Sequence, residues 1–210
     1  MTYLPSHFEQ EDRGKIDTFL AAHPFGTMVV ELDGEMWPTP LPLIHRPAAD
    51  GWGTFIGHVA RANRMWQADA NKEVLIIING PDGYISPNWY ATKAETHEVV
   101  PTWNYAAVHA WGRMVVHHDV KFKRMAVGML TQIHERNSEI PWKMGDAPQE
   151  YLAGQLEHIV GLEIRIDRLV AKWKLSQNRT GADRAGVIAA LSSRGGDDDL
   201  VTMMTETHDQ

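Results

Sequence analysis

The sequence predicts a mainly β fold with α decoration, an antiparallel barrel assembled from hairpins. Three observations carry that prediction. Asp33-Gly34, the strongest two-residue hairpin signal, separates two strand-like runs, GTMVVEL at 26–32 and EMWPTPLPLI at 35–44. From 103 to 116 the chain sorts by parity. Its even positions, Asn104, Ala106, Val108, Ala110, Gly112, Met114 and Val116, form a small, mostly apolar set, while Trp103, Tyr105, His109, Trp111 and Arg113 share the odd face. Finally, the helical patterns fall mostly after the strands instead of alternating with them, which argues against βαβ units.

In chain order, Asp12 to Ala22 reads as a helix, with Ile16, Phe19 and Leu20 at helical spacing and His23-Pro24 as its stop. Pro38, Pro40 and Pro42 remove regular donors from the second strand, placing that run at an edge or a bulge. WGTFIGHV at 52–59 is a third strand, RANRMWQADA a short helix and VLIIIN a buried central strand, with a turn expected at Pro81-Asp82-Gly83 before YIS. Residues 87–102 read as a long functional or dimer-facing loop. Behind an Asp119 cap, Phe122, Met125, Ala126, Met129, Leu130 and Ile133 form a helical stripe to about Asn137, its methionines serving as core packing. Asp146 with Gln149 resembles a capping box for a helix to about His158, and IVGLEIRIDRLV at 159–170 alternates like a half-solvated strand. Thr180 with Asp183 caps a last helix through Leu191, ended by Gly195-Gly196. The acidic tail, 193–210, is expected to be mobile, with Leu200 to Met204 able to dock locally.

Composition narrows the function classes. The formal net charge is −7, and basic residues concentrate only at Arg165, Arg168, Lys172, Lys174 and Arg179, too few for a broad nucleic-acid footprint. The absence of cysteine excludes disulfides, thiolate metal sites and thiol nucleophiles. His117 and His118 are strand neighbours on opposite faces, and neither Ser86 nor Ser176 sits in a nucleophile elbow; no metal site is expected and no catalytic residue is assigned. Neither a signal peptide nor an apolar run of membrane-spanning length is recognisable, so the expectation is a soluble, cytoplasmic protein. Large aromatics gather in pockets and interfaces, so the eight tryptophans point the odd face of 103–117 toward a partner or a ligand.

GHVARANRMW at 57–66, YISPNWY at 84–90, VVPTWNYAAVHAWG at 99–112 and KWKLSQNR at 172–179 together resemble the PaiB family of FMN-binding negative transcriptional regulators, a branch of the flavin split-barrel fold. The resemblance covers residues 1–192 as a single FMN-binding split-barrel domain and leaves 193–210 outside. It implies a homodimer with FMN at the interface and contacts from both subunits. Because the fold lacks a dedicated DNA-reading element, it also implies regulation through flavin or metabolite binding, with direct nucleic-acid binding not expected. Two other activities occur on the same fold. One is flavin-dependent oxidoreduction, by flavin reductases or pyridoxamine-phosphate-oxidase-like enzymes; the other is haem binding or degradation, which makes haem the alternative cofactor.

Without a glycine-rich loop, an FMN phosphate needs Arg or Lys with hydroxyl or amide donors beside it. His58, Arg61 and Asn63, at a strand-to-helix junction, are the first candidates, and Arg61 is expected to hold the phosphate. The plainer reading is that Arg61 and Asn63 only open and cap a short helix. Lys174, Ser176, Gln177 and Arg179 form a second group of cofactor or substrate contacts. They resemble the RLSP-type segment on the substrate side of pyridoxamine-phosphate oxidases, with Lys174 for the Arg and Gln177 for the Pro. Lys93 in the long loop and Trp103 on the aromatic face complete the cofactor-binding set.

Overall fold

Asp33 and Gly34 take positive φ values of 53° and 83°, the backbone a type I′ hairpin needs, and leave Leu32 opposite Glu35. The protein is described by a computed structural model over residues 2–207. Its strands are β1 (Glu9–Gln10), β2 (Phe25–Leu32), β3 (Glu35–Arg46), β4 (Thr54–Ala60), β5 (Val74–Ile85), β6 (Thr102–His117) and β7 (Ile159–Lys174). Its helices are α1 (Arg13–Ala22), α2 (Lys93–Thr96), α3 (Val120–Glu135), α4 (Gln149–Glu157), α5 (Gly181–Arg194) and α6 (Asp198–Glu206). The strands follow the order β1-β7-β4-β3-β2-β5-β6, and β6 also pairs with β7, so the sheet closes on itself as the expected antiparallel barrel.

Strand β3 shows how three prolines are accommodated. Residues 35–42 pair only with β2, and β4 joins β3 only from Leu43 onward. The Leu43 N–H donates to Pro24 O at 2.6 Å, on the β2 side, so the even-numbered prolines direct their missing donors to the side that has no partner strand yet.

Two sequence expectations are corrected. Pro81-Asp82-Gly83 do not turn the chain, because β5 runs through them to Ile85. The β2–β5 register covers 75–77, so Pro81 lies past that ladder, and its fixed φ suits extended chain. Asp146 does not cap the next helix: its Oδ2 accepts the Lys143 N–H at 2.8 Å and closes a single turn at Met144–Asp146, while α4 begins behind Pro148.

The parity reading of β6 holds. Asn104, Ala106, Val108, Ala110 and Met114 are buried, whereas Trp103 and Arg113 are exposed. Gly112 belongs to the buried set for a reason of space, since a Cβ there would stand 2.0 Å from Arg165 O on β7.

The chain divides into two compact units. Within the described residues the first comprises 2–12, 79–108 and 170–207, and the second 13–78 and 109–169. Met28, Ile76, Leu162 and Ile164 lie in the core of the second; Ile85, Leu175, Val187 and Leu200 lie in that of the first. The docking anticipated for Leu200 to Met204 takes the form of α6, whose i, i+4 pair Leu200 and Met204 is buried. Residues 208–210 of the acidic tail lie outside the described residues. Among the described residues no helix is long and apolar enough to cross a membrane.

Candidate functional site

The predicted site residues fall in both units, and each group has its own local logic. In the second unit, β4 delivers His58 and ends just before Arg61. A helix C-terminus leaves carbonyls without intrahelical partners, and cations there also meet the negative end of the helix dipole. Arg61 answers that need at the end of α4. Its backbone N–H donates to His158 O at 2.8 Å, its Nε to Glu157 O at 2.7 Å and its Nη2 to Ile159 O at 3.1 Å. The buried Lys123 adds its Nζ to Leu156 O at 2.6 Å, so four consecutive carbonyls are satisfied by two cationic residues. The helical stripe of α3 had shown only its apolar members; Lys123 was not visible as a buried cation because its partner is a backbone atom 33 residues away.

Asn63 fulfils the plainer reading. Its Oδ1 accepts the Met65 N–H at 3.1 Å and caps a single 3-10 turn, Arg64–Gln67, while its Nδ2 donates to Thr39 Oγ1 at 3.3 Å. The indole N–H of Trp66 donates to Arg61 O at 3.0 Å, which holds the same corner. His58 is different: its Nδ1 is buried without a hydrogen-bond partner, and burial pushes the imidazole below its ordinary value, toward the neutral form. Buried polar atoms are normally paired, so this nitrogen has polar capacity that the described residues leave unused. Arg61, exposed and held through Nε and Nη2, keeps its Nη1 donors without a partner among the described residues.

In the first unit, the end of β7 carries Lys172 and Lys174 two residues apart, hence on one strand face. Lys174 Nζ donates to Thr102 Oγ1 at 2.6 Å and to Trp103 O. Burial, then the neighbouring Lys172 and Arg179 charges, hold Lys174 below the usual lysine value. Ser176 has φ 66° and is buried; it accepts from Asn104 Nδ2 at 2.9 Å and donates to Asn104 Oδ1 at 3.2 Å, so it ties the turn to β6. Gln177 folds back on its own turn, accepting Leu175 N–H at 2.7 Å and donating to Trp173 O at 2.5 Å.

Arg179 packs its guanidinium 4.6 Å from the Tyr90 ring centroid. Lys93 donates to Asn88 Oδ1 within its own loop. Trp103 is 53% exposed and stands edge-on to Tyr84 with ring centroids 6.3 Å apart. The structure thus brings Lys174, Arg179 and the exposed Trp103 into one neighbourhood with Lys172, which the predicted set omitted. Ser176 is occupied by the Asn104 side chain and Gln177 by its local backbone. Among the described residues Lys172, Lys174 and Arg179 form no ion pair.

Both groups suit an anion, by different means: a guanidinium fixed by carbonyls near an unpartnered imidazole nitrogen, and a cluster of cations that forms no ion pair among the described residues. The donor set therefore fits a phosphate-bearing cofactor.

Comparison with known proteins agrees with this chemistry. The sequence matches the family described as "Putative FMN-binding domain" over residues 2–168. It is 32% identical over 192 residues to the protease synthase and sporulation protein PAI 2 of Bacillus subtilis, covering 91% of this chain and 89% of that one. It is also 32% identical over 231 residues to an uncharacterized protein of Emericella nidulans, covering 93% and 92%. Among solved structures, the flavocytochrome Anf3 from Azotobacter vinelandii aligns with a TM-score of 0.61 at 17% identity, over 86% of this chain and 74% of that chain. The FAD and heme binding protein from Mycobacterium smegmatis aligns with a TM-score of 0.59 at 16% identity, over 90% and 80%. At these identities the structural likeness is one of fold, and the fold is the flavin split barrel.

Proposed function

Because the chain belongs to the family described as "Putative FMN-binding domain", we propose that it is a cytoplasmic FMN-binding protein of the PaiB type. It acts as a homodimer with flavin at the subunit interface, and residues 1–192 form the flavin-binding domain. The observation that carries the reading is Arg61, whose guanidinium is held by the Glu157 and Ile159 carbonyls while its Nη1 donors stay uncommitted. A guanidinium held in this way is pre-organised for planar recognition of phosphate oxygens. His58 Nδ1 supplies a further polar contact, and Asn63 positions the corner through its cap. Lys93, Trp103, Lys174 and Arg179 contact cofactor or substrate, while Ser176 and Gln177 shape the turn that presents them. Bound FMN supplies the hydride or electron chemistry, and the protein supplies binding, orientation and electrostatics.

The Bacillus subtilis relative is named a protease synthase and sporulation protein, which suggests a regulatory role. A net charge of −7 favours regulation through the flavin or a bound metabolite over direct contact with nucleic acid. A second reading, flavin-dependent oxidoreduction of a small anion, is favoured by the unpaired cations beside the exposed Trp103.

An absorption spectrum with FMN titration of the purified protein tests the proposal. The expected result is saturable FMN binding with flavin bands, in a particle that sediments as a dimer. A Soret band without flavin moves the protein to the haem-binding class, and failure to bind FMN removes the reading. Oxidation of NAD(P)H by the flavin-loaded form selects the oxidoreductase reading.

A further inference from the structure

The first unit holds a cavity of about 400 Å³ lined by Asn79, Gly80, Asp82, Trp103, Tyr105 and Ala106. This volume lies within the range of small-molecule pockets. Its aromatic wall continues directly into the cations of β7. Lys172 Nζ lies 5.5 Å from the Tyr105 ring centroid and 5.2 Å from that of Tyr3, and donates to Tyr3 O at 3.0 Å. Lys174 Nζ is bonded to the carbonyl of Trp103, the residue that forms the neighbouring part of the wall. Glu9 stands directly opposite Lys172 in the β1–β7 ladder, yet the two form no ion pair among the described residues. Lys172 turns to the aromatic rings instead.

We propose that this cavity is the binding site of a second ligand, a planar aromatic molecule bearing a carboxylate or phosphate. Its ring lies against Trp103 and Tyr105 and its anionic group on Lys172 and Lys174. Each part of the site asks for one part of that ligand. The rings supply flat contact area at little conformational cost. The two ammonium groups crowd each other and form no ion pair among the described residues, a situation that an anion relieves. Asp82 and Asn79, on the cavity lining, favour polar N–H groups on the ring edge and disfavour a second negative charge there. A neutral aromatic leaves the cations uncompensated, and a small inorganic anion leaves the rings wet. As a substrate class for flavin chemistry this inference rests on the flavin reading; as a binding site it does not.

The test is a fluorescence titration of anthranilate, a planar carboxylate, into the FMN-treated full chain, with neutral anthranilamide as the control. Saturable binding of anthranilate is expected, at least about tenfold tighter than anthranilamide, the scale of one lost charged hydrogen bond. K172M keeps the alkyl stem and removes the charge, so it is expected to weaken anthranilate by about tenfold; Y105L is expected to weaken both probes. FMN affinity, titrated in parallel, is expected to be the same in K172M and the unaltered chain. Equal binding of the two probes, no binding of either, or indifference to K172M overturns the proposal. If K172M weakens FMN as much as anthranilate, the cavity is the flavin's own and the proposal of a second ligand fails while flavin binding stands. If the unaltered chain binds anthranilate but not FMN, the flavin reading fails and this site stands.

Discussion

At the end of α4, the carbonyls of Leu156, Glu157, His158 and Ile159 each receive a donor from Lys123 or Arg61. At the end of β7, Lys172, Lys174 and Arg179 gather around rings and one another, and the ammonium of Lys174 is held below its usual value by burial and by its two cationic neighbours. The first arrangement spends charge on closing backbone; the second gathers charge that forms no ion pair among the described residues. Two clusters with similar composition therefore differ in what a ligand gains. A phosphate at Arg61 would meet an orientation already fixed by the fold, whereas an anion at Lys172 and Lys174 would relieve repulsion that the fold leaves in place.

Arg61 offers the largest way to break that contrast, because it belongs to both the backbone and the proposed phosphate contact. Arg61→Ala is expected to weaken FMN binding by roughly 30-fold or more, the loss of one charged partner from a partly desolvated site. It is also expected to lower stability by about 1–3 kcal/mol through the Glu157 and Ile159 carbonyls. Lys at this position restores part of the affinity, lacking the planar fork. Lys123→Met serves as the sharpening control. It leaves the buried Leu156 carbonyl short of its donor and is expected to cost about 1–3 kcal/mol in chemical denaturation, with FMN affinity unchanged. If Arg61→Ala and Lys123→Met give the same loss of stability and the same FMN affinity, Arg61 is a backbone clamp alone.

The second cluster has a pH signature. The folded-state pKa of Lys174 lies below its ordinary 10.5, so in the interval just below that value the unfolded chain binds more protons than the folded one. Stability from this group therefore rises as pH climbs toward 10.5, and Lys174→Met removes that rise. Lys72, on the exposed surface, has the opposite sign because its bond to Glu31 raises its pKa, so the wild-type and Lys174→Met curves must be subtracted to isolate the effect. Anthranilate at saturation is expected to flatten the difference, since a bound anion favours the charged ammonium. A difference curve without slope means that Lys174 is solvated and uncrowded, and the contrast between the clusters weakens.

The sequence made the barrel legible because its signals were local. Asp33-Gly34 states its turn in two residues, β6 states both faces through alternation, and Thr180 with Asp183 states its cap within one helical turn, where the Thr180 side chain accepts the Asp183 N–H at 3.2 Å. Pro81-Asp82-Gly83 misled because turn composition is compatible with an extended strand, and here it lies past the β2–β5 ladder. The site was legible as residue types and not as commitments. Nothing near Arg61 in sequence reveals that its Nε is taken by a carbonyl 96 residues away, or that Ser176 is taken by Asn104 at a separation of 72. Lys172 was visible as part of a basic concentration, and its i, i+2 spacing from Lys174 on one strand face was the signal that would have added it to the site.

Asn63 supplies the smallest expected effect and the finest division between cap and ligand contact. Its Oδ1 accepts the Met65 N–H at 3.1 Å, and its Nδ2 reaches Thr39 Oγ1 at the longer 3.3 Å. Asn63→Ala loses the cap and is expected to cost about 1 kcal/mol. Asn63→Ser keeps a side-chain oxygen at the cap position but lacks the amide donor, so it is expected to recover most of that loss. If Asn63 only positions the corner that carries Arg61, FMN affinity follows stability: slightly weaker in the Ala variant and restored in the Ser variant. A Ser variant as stable as the parent but about tenfold weaker for FMN would instead place the Asn63 amide on the phosphate. That result breaks the contrast from the other side, because the corner at the end of β4 would then hold uncommitted polar capacity beyond Arg61 and His58.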